Sequence, residues 1–142
     1  MMKLEDALRF ASEHRDLLPR EIAAELLKQG FDAIIIAKIL SEGEIGDSFE
    51  VSYSLKDAGF SLKDRACALR DVCELNYSEI IELLINDNGG RPDYLDIRLA
   101  FNQIGASNNQ VYRALLDHGL PRRDVMKVIN GNRVTLNLYE DG

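Results

Sequence analysis

Two histidines, His14 and His118, and two cysteines, Cys67 and Cys73, are the side chains of this 142-residue chain best suited to acid–base, nucleophilic or metal chemistry. Their spacing assembles no site. The chain has no C-x-x-C, H-E-x-x-H or EF-hand pattern, so neither zinc nor calcium finds its usual ligand set. The stretch from Asn86 to Asp93 is rich in acids and glycine. Its glycines miss the sixth place of a calcium loop, and it reads as a connection between helices. No G-x-S-x-G elbow or G-x-x-x-x-G-K loop occurs, and Gly89-Gly90 follows a helical pattern rather than a strand. His118 precedes Gly119, where an imidazolium suits the C-terminal end of a helix. Cys67 and Cys73 read as small core residues of one helix, about 120° apart around its axis and unable to bridge each other. The expectation is therefore no catalytic residue, no metal and no cofactor.

The carboxylates are the other chemistry on offer. There are 24 acidic against 17 basic side chains, a formal net charge of −7, which argues against a general binder of nucleic acid or anionic membrane. The charge is uneven: residues 1–99 hold 20 acids and 12 bases, and residues 100–142 hold four and five. Asp47, Glu50, Asp93 and Asp96 form a candidate acidic binding face, suited to a protein partner with a basic surface. The C-terminal third carries the one opening for nucleic acid. The run from Ile97 to Leu115 looks like a DNA-reading helix-turn-helix, with Asn108, Asn109, Gln110 and Arg113 as candidate contacts and Arg122 and Arg123 behind them. Against this, Phe101 is large where close helix contact favours a small residue, and the same junction recurs along the chain.

That junction supplies the elements. Gln29-Gly30-Phe31-Asp32, Ala58-Gly59-Phe60-Ser61, Leu75-Asn76-Tyr77-Ser78, Ile104-Gly105-Ala106-Ser107 and His118-Gly119-Leu120-Pro121 share one layout. A helix closes on a residue that tolerates left-handed geometry, an apolar plug follows, and the next helix starts on a capping residue. The spacing predicts nine helices, over 3–17, 19–29, 32–42, 47–58, 61–74, 78–87, 93–104, 107–118 and 121–130. The Ile34–Ile36 run leaves a buried strand open as a competitor to the third. Shifted by 46, residues 22–61 align without a gap on 68–107, with seven identities, including Asp47/Asp93, Gly59/Gly105 and Ser61/Ser107. Such a match marks helical units that bury their apolar faces by stacking. After Arg133 the pattern alternates, and Val134, Leu136 and Leu138 read as an extended segment able to pair as a strand or pack locally.

Together these features predict an all-α fold of eight or nine short helices in stacked helix-turn-helix quasi-repeats, with a single domain over 1–132 and an extended tail over 133–142. The charged N-terminus lacks a signal peptide's apolar core, the longest apolar run is Ala33 to Ala37, and two cysteines make no disulfide framework. A cytoplasmic protein without membrane contact is expected. The function expected is non-enzymatic binding or inhibition of a partner, for instance a nucleic-acid-handling complex of the kind mobile elements target. Self-association through Val134, Leu136 and Leu138 is a further expectation. A small helix-turn-helix DNA-binding regulator and an enzyme with an unrecognised site are the alternatives.

Overall fold

A computed structural model of the chain describes residues 2–87 and 93–134. Among the described residues there are nine helices and no strand. They are α1 (Leu4–Glu13), α2 (Pro19–Lys28), α3 (Ala33–Glu42), α4 (Ser48–Asp57), α5 (Leu62–Asp71), α6 (Tyr77–Asp87), α7 (Tyr94–Gln103), α8 (Asn108–His118) and α9 (Arg122–Ile129). The chain groups into two compact units, Met1–Leu75 and Asn76–Gly142. None of the helices is long and apolar enough to cross a membrane.

Local chemistry starts and stops each helix. Asp32, Asp47 and Ser61 accept the backbone N–H three residues on, at 2.9, 2.9 and 3.2 Å. Ser107 and Gln110 exchange reciprocal bonds of 3.1 and 2.9 Å, a full capping box. At the other ends, Gly59 and Gly119 take φ of 96° and 109°. There Phe60 N–H reaches back to Leu55 O, and Leu120 N–H to Leu115 O, satisfying carbonyls the helix leaves orphaned.

Three details differ from the sequence expectation. The α5–α6 junction places its left-handed residue at Glu74 (φ 57°) rather than Asn76. Asn76 is instead the N-cap: its Oδ1 accepts from Glu79 N–H at 2.8 Å, and Glu79 Oε1 accepts from Asn76 N–H at 3.1 Å. Tyr77 therefore opens α6 instead of plugging the turn. Second, α1 ends at Glu13 rather than at 17. His14 N–H and its ring Nδ1 both meet Phe10 O, and Leu18 ahead of Pro19 is held extended. Third, α5 ends at Asp71, so Cys73 lies beyond the helix that holds Cys67. Both thiols are free and half-buried.

In the first unit α3 is the central element, packing on α1, α2, α4 and α5. Its Ile36, Ile39 and Leu40 are buried, so the isoleucine run is a helix rather than a strand. The 46-residue register recurs in three dimensions. α4 and α7 have equivalent bounds, as do the starts of α5 and α8. Within its own unit, α3 packs on α5 as α6 packs on α8, and α4 on α5 as α7 on α8. Val51 and Ile97, and Leu55 and Phe101, are buried at matching positions. Each three-turn helix is too short to persist alone in water and is held by these contacts.

Candidate functional site

The four acids singled out by sequence occupy the heads of two equivalent helices. Asp47 and Asp93 are the N-caps of α4 and α7, and their Oδ1 atoms accept from the N–H of Glu50 and Asp96 at 2.9 and 3.2 Å. Glu50 and Asp96 sit in the first turn, where the positive end of the helix dipole favours an acid. The two pairs then part ways. Arg133 bonds to Asp93 and lies 3.6 Å from Asp96, so its guanidinium neutralises that pair. Burial and the adjacent Asp93 carboxylate still push the Asp96 carboxyl above its ordinary range, against the pull of Arg133. Among the described residues no ion pair engages Asp47 or Glu50.

Glu50 also borders an apolar opening in the first unit. Leu18, Pro19, Arg20, Phe49, Glu50, Tyr53 and Ser54 line a groove of about 150 Å³ between the start of α2 and α4. The packing of α4 explains it. Val51, Ser52, Ser54 and Leu55 take the inward face, and the two small serines are buried there. Phe49 and Tyr53, four residues apart, are left on the outer face beside Leu18. They are 50, 38 and 49 % exposed respectively. Leu4, Leu8, Leu27, Leu99 and Met126 are exposed too, and scattered surface apolar residues are ordinary. Leu18, Phe49 and Tyr53 differ because they converge on one depression. Sequence reading passed over them. The available signal was a Phe49/Tyr53 pair at helical spacing, off the Val51/Leu55 stripe.

On the second unit, α7 and α8 pack together as the helix-turn-helix reading requires. Asn109, Gln110 and Arg113 are exposed on α8, with the Gln110 side chain held in the capping box by Ser107 N–H. The other candidates are engaged. Asn108 Oδ1 accepts from Asn102 Nδ2 at 3.2 Å, Arg122 Nε donates to Tyr112 Oη at 2.8 Å, and Arg123 lies 4.0 Å from Asp124.

His118, the last residue of α8, has partners that sequence could not supply. Its Nδ1 lies 2.7 Å from Glu82 Oε1 on α6, and its Nε2 lies 3.4 Å from Tyr94 Oη on α7. An ionised carboxylate only accepts, so Nδ1 donates to Glu82. Burial, with Glu82 and Asp124 nearby, raises the Tyr94 pKa and keeps the phenol neutral. A cavity of about 220 Å³ adjoins the pair, lined by Tyr94, His118, Gly119, Leu120 and Pro121, with Glu82 outside it. The three side chains join α6, α7 and α8, and Tyr94 and His118 among them also line the cavity. His14 is likewise held, stacked on Phe10 with Nδ1 on its carbonyl.

Cys67 donates to Asp71 at 3.3 Å, and burial and that carboxylate raise its thiol pKa. A raised thiol pKa lowers the thiolate fraction that reacts. Among the described residues no group of three or more His, Cys, Asp or Glu is placed to hold a metal. Val134 is half-buried, and Leu136 and Leu138 lie outside the described residues. Comparison with protein-family models, curated proteins and solved structures yields no significant match, so these geometries carry the functional argument.

Proposed function

We propose that this protein is a non-catalytic binding module that captures another polypeptide through the α2–α4 groove of its first unit. The observation that carries the reading is the convergence of exposed Leu18, Phe49 and Tyr53 on one depression, with Glu50 at its edge. Protein-binding surfaces centre on aromatic and aliphatic anchors within a polar rim. Glu50 and the nearby Asp47 supply that rim with charge that no described residue neutralises, which suits a partner with a basic surface. A nucleic-acid-handling protein is one such partner, and occupying its basic surface would inhibit it.

The test is site-specific crosslinking in cells. A photoreactive phenylalanine analogue at position 53 is expected to crosslink a second polypeptide, and the same analogue at exposed Leu99 is not. Equal crosslinking from both positions, or none from position 53, rejects the reading. A duplex-binding measurement addresses the regulator alternative. It expects no salt-dependent binding that Arg113→Ala weakens.

A further inference from the structure

The groove's size and rim narrow the kind of partner. A cavity of about 150 Å³ with apolar walls is large enough for a single benzene-sized group. It is too small for the array of side chains that a broad domain face would insert. One anchor fits, and the walls offered to it are Leu18, Pro19, Phe49 and Tyr53.

The charges around the opening are asymmetric. The Glu44–Asp47 loop runs beside it, since a side chain built on Gly46 would meet Pro19 and Glu50. Glu44, Asp47 and Glu50 are exposed there. Arg20 lines the groove, and Arg15 reaches the loop by donating to Gly43 O at 3.2 Å. Three acids thus stand beside two arginines, a formal balance of −1 around the opening.

We infer that the occupant is a short linear segment of another protein, carrying one phenylalanine- or leucine-sized anchor flanked by lysine or arginine. The anchor fills the groove, and the flanking cations meet Glu50 and Asp47. This inference rests on the binding reading above and deepens it.

The probe is a fluorescein-labelled synthetic nonapeptide, Gly-Ser-Lys-Lys-Phe-Lys-Lys-Ser-Gly, titrated with the full chain and followed by anisotropy and by amide chemical shifts. Shifts are expected to cluster on Leu18, Phe49, Glu50 and Tyr53. Replacing the peptide's phenylalanine by alanine, or its lysines by glutamate, is expected to weaken binding about tenfold or more, as removal of an interface anchor does. Tyr53→Ala should do the same from the protein side. Glu50→Gln, which removes the surface charge without placing a cation at the helix start, and Glu50→Lys should each weaken binding, the latter about threefold to tenfold at low salt and less at high salt.

Equal binding of the lysine and glutamate peptides overturns the inference, as does binding indifferent to both Tyr53→Ala and Glu50→Lys. A position-53 crosslink to a folded domain face with no peptide binding overturns it while leaving the binding-module reading standing. A crosslink to a second copy of this chain overturns it in favour of self-association. Absence of any position-53 crosslink removes the wider reading itself.

Discussion

Asp96 shows how closely spaced caps and acids trade against one another. Its carboxyl is held above the ordinary range by burial and by Asp93, with Arg133 opposing. A carboxyl whose folded pKa exceeds its unfolded value costs stability while ionised, and the cost vanishes as pH falls through the folded pKa. Asp96→Asn is therefore expected to stabilise the protein by about a few tenths of a kcal/mol at pH 7, an effect kept small by solvent screening. Denaturant unfolding should show the gain disappearing in acid, below both pKa values, and a variant less stable at pH 7 would mean that the Arg133 pairing dominates. Asn76 makes a second point at this scale. Replacing this N-cap by alanine should cost about 1 kcal/mol in the same assay, and Ser78→Ala less than half as much. Sequence pointed to Ser78 because Asn serves both as a helix closer and as a helix starter. The Asn76-x-x-Glu79 spacing decides it, since only the starter role lets both residues pair.

The helices themselves were largely legible, because capping residues and apolar periodicity act locally and recur at each junction. What lay beyond reach was the relation between helices: which carboxylate meets His118, and which apolar side chains a neighbour leaves uncovered. Phe49 and Tyr53 count as hydrophobic in any composition, and only the packing of α4 on α2 shows them facing out. Helix ends offer a direct test. Gly119 sits at φ 109° with nothing within 4 Å of where a Cβ would go, so Gly119→Ala should lose about 1 kcal/mol through backbone strain alone. Glu44 makes the converse case, a non-glycine residue at φ 54° closing α3, with Ile45 N–H reaching back to Leu40 O. Glu44→Gly is expected to raise the melting temperature by relieving strain of about 1 kcal/mol, less the extra entropy of glycine in the unfolded chain.

Residues 22–61 and 68–107 share one register, and their matched positions can be compared directly. Leu55 and Phe101 are equivalent in the 46-residue register and fully buried in separate units. Leu55→Ala should cost about 2–5 kcal/mol and Phe101→Ala about 3–5 kcal/mol. Hydrogen exchange should show each substitution loosening its own unit first, and identical loss of protection throughout the chain would contradict two cooperative cores. The register was readable because identical caps fall at identical spacing, Asp47 with Asp93 and Ser61 with Ser107. The partition at Leu75 was not, since no change of composition marks it. The pairing rule also bears on how the protein comes into being. Helices two apart in sequence meet within each unit: α2 with α4, α3 with α5, α6 with α8 and α7 with α9. Contacts so local require little loop closure and favour rapid folding. On the ribosome, at about 5–20 residues per second, α1 to α5 can pack as soon as they emerge, while α6 to α9 are still being made. The α2–α4 groove would then be complete before α9 is made.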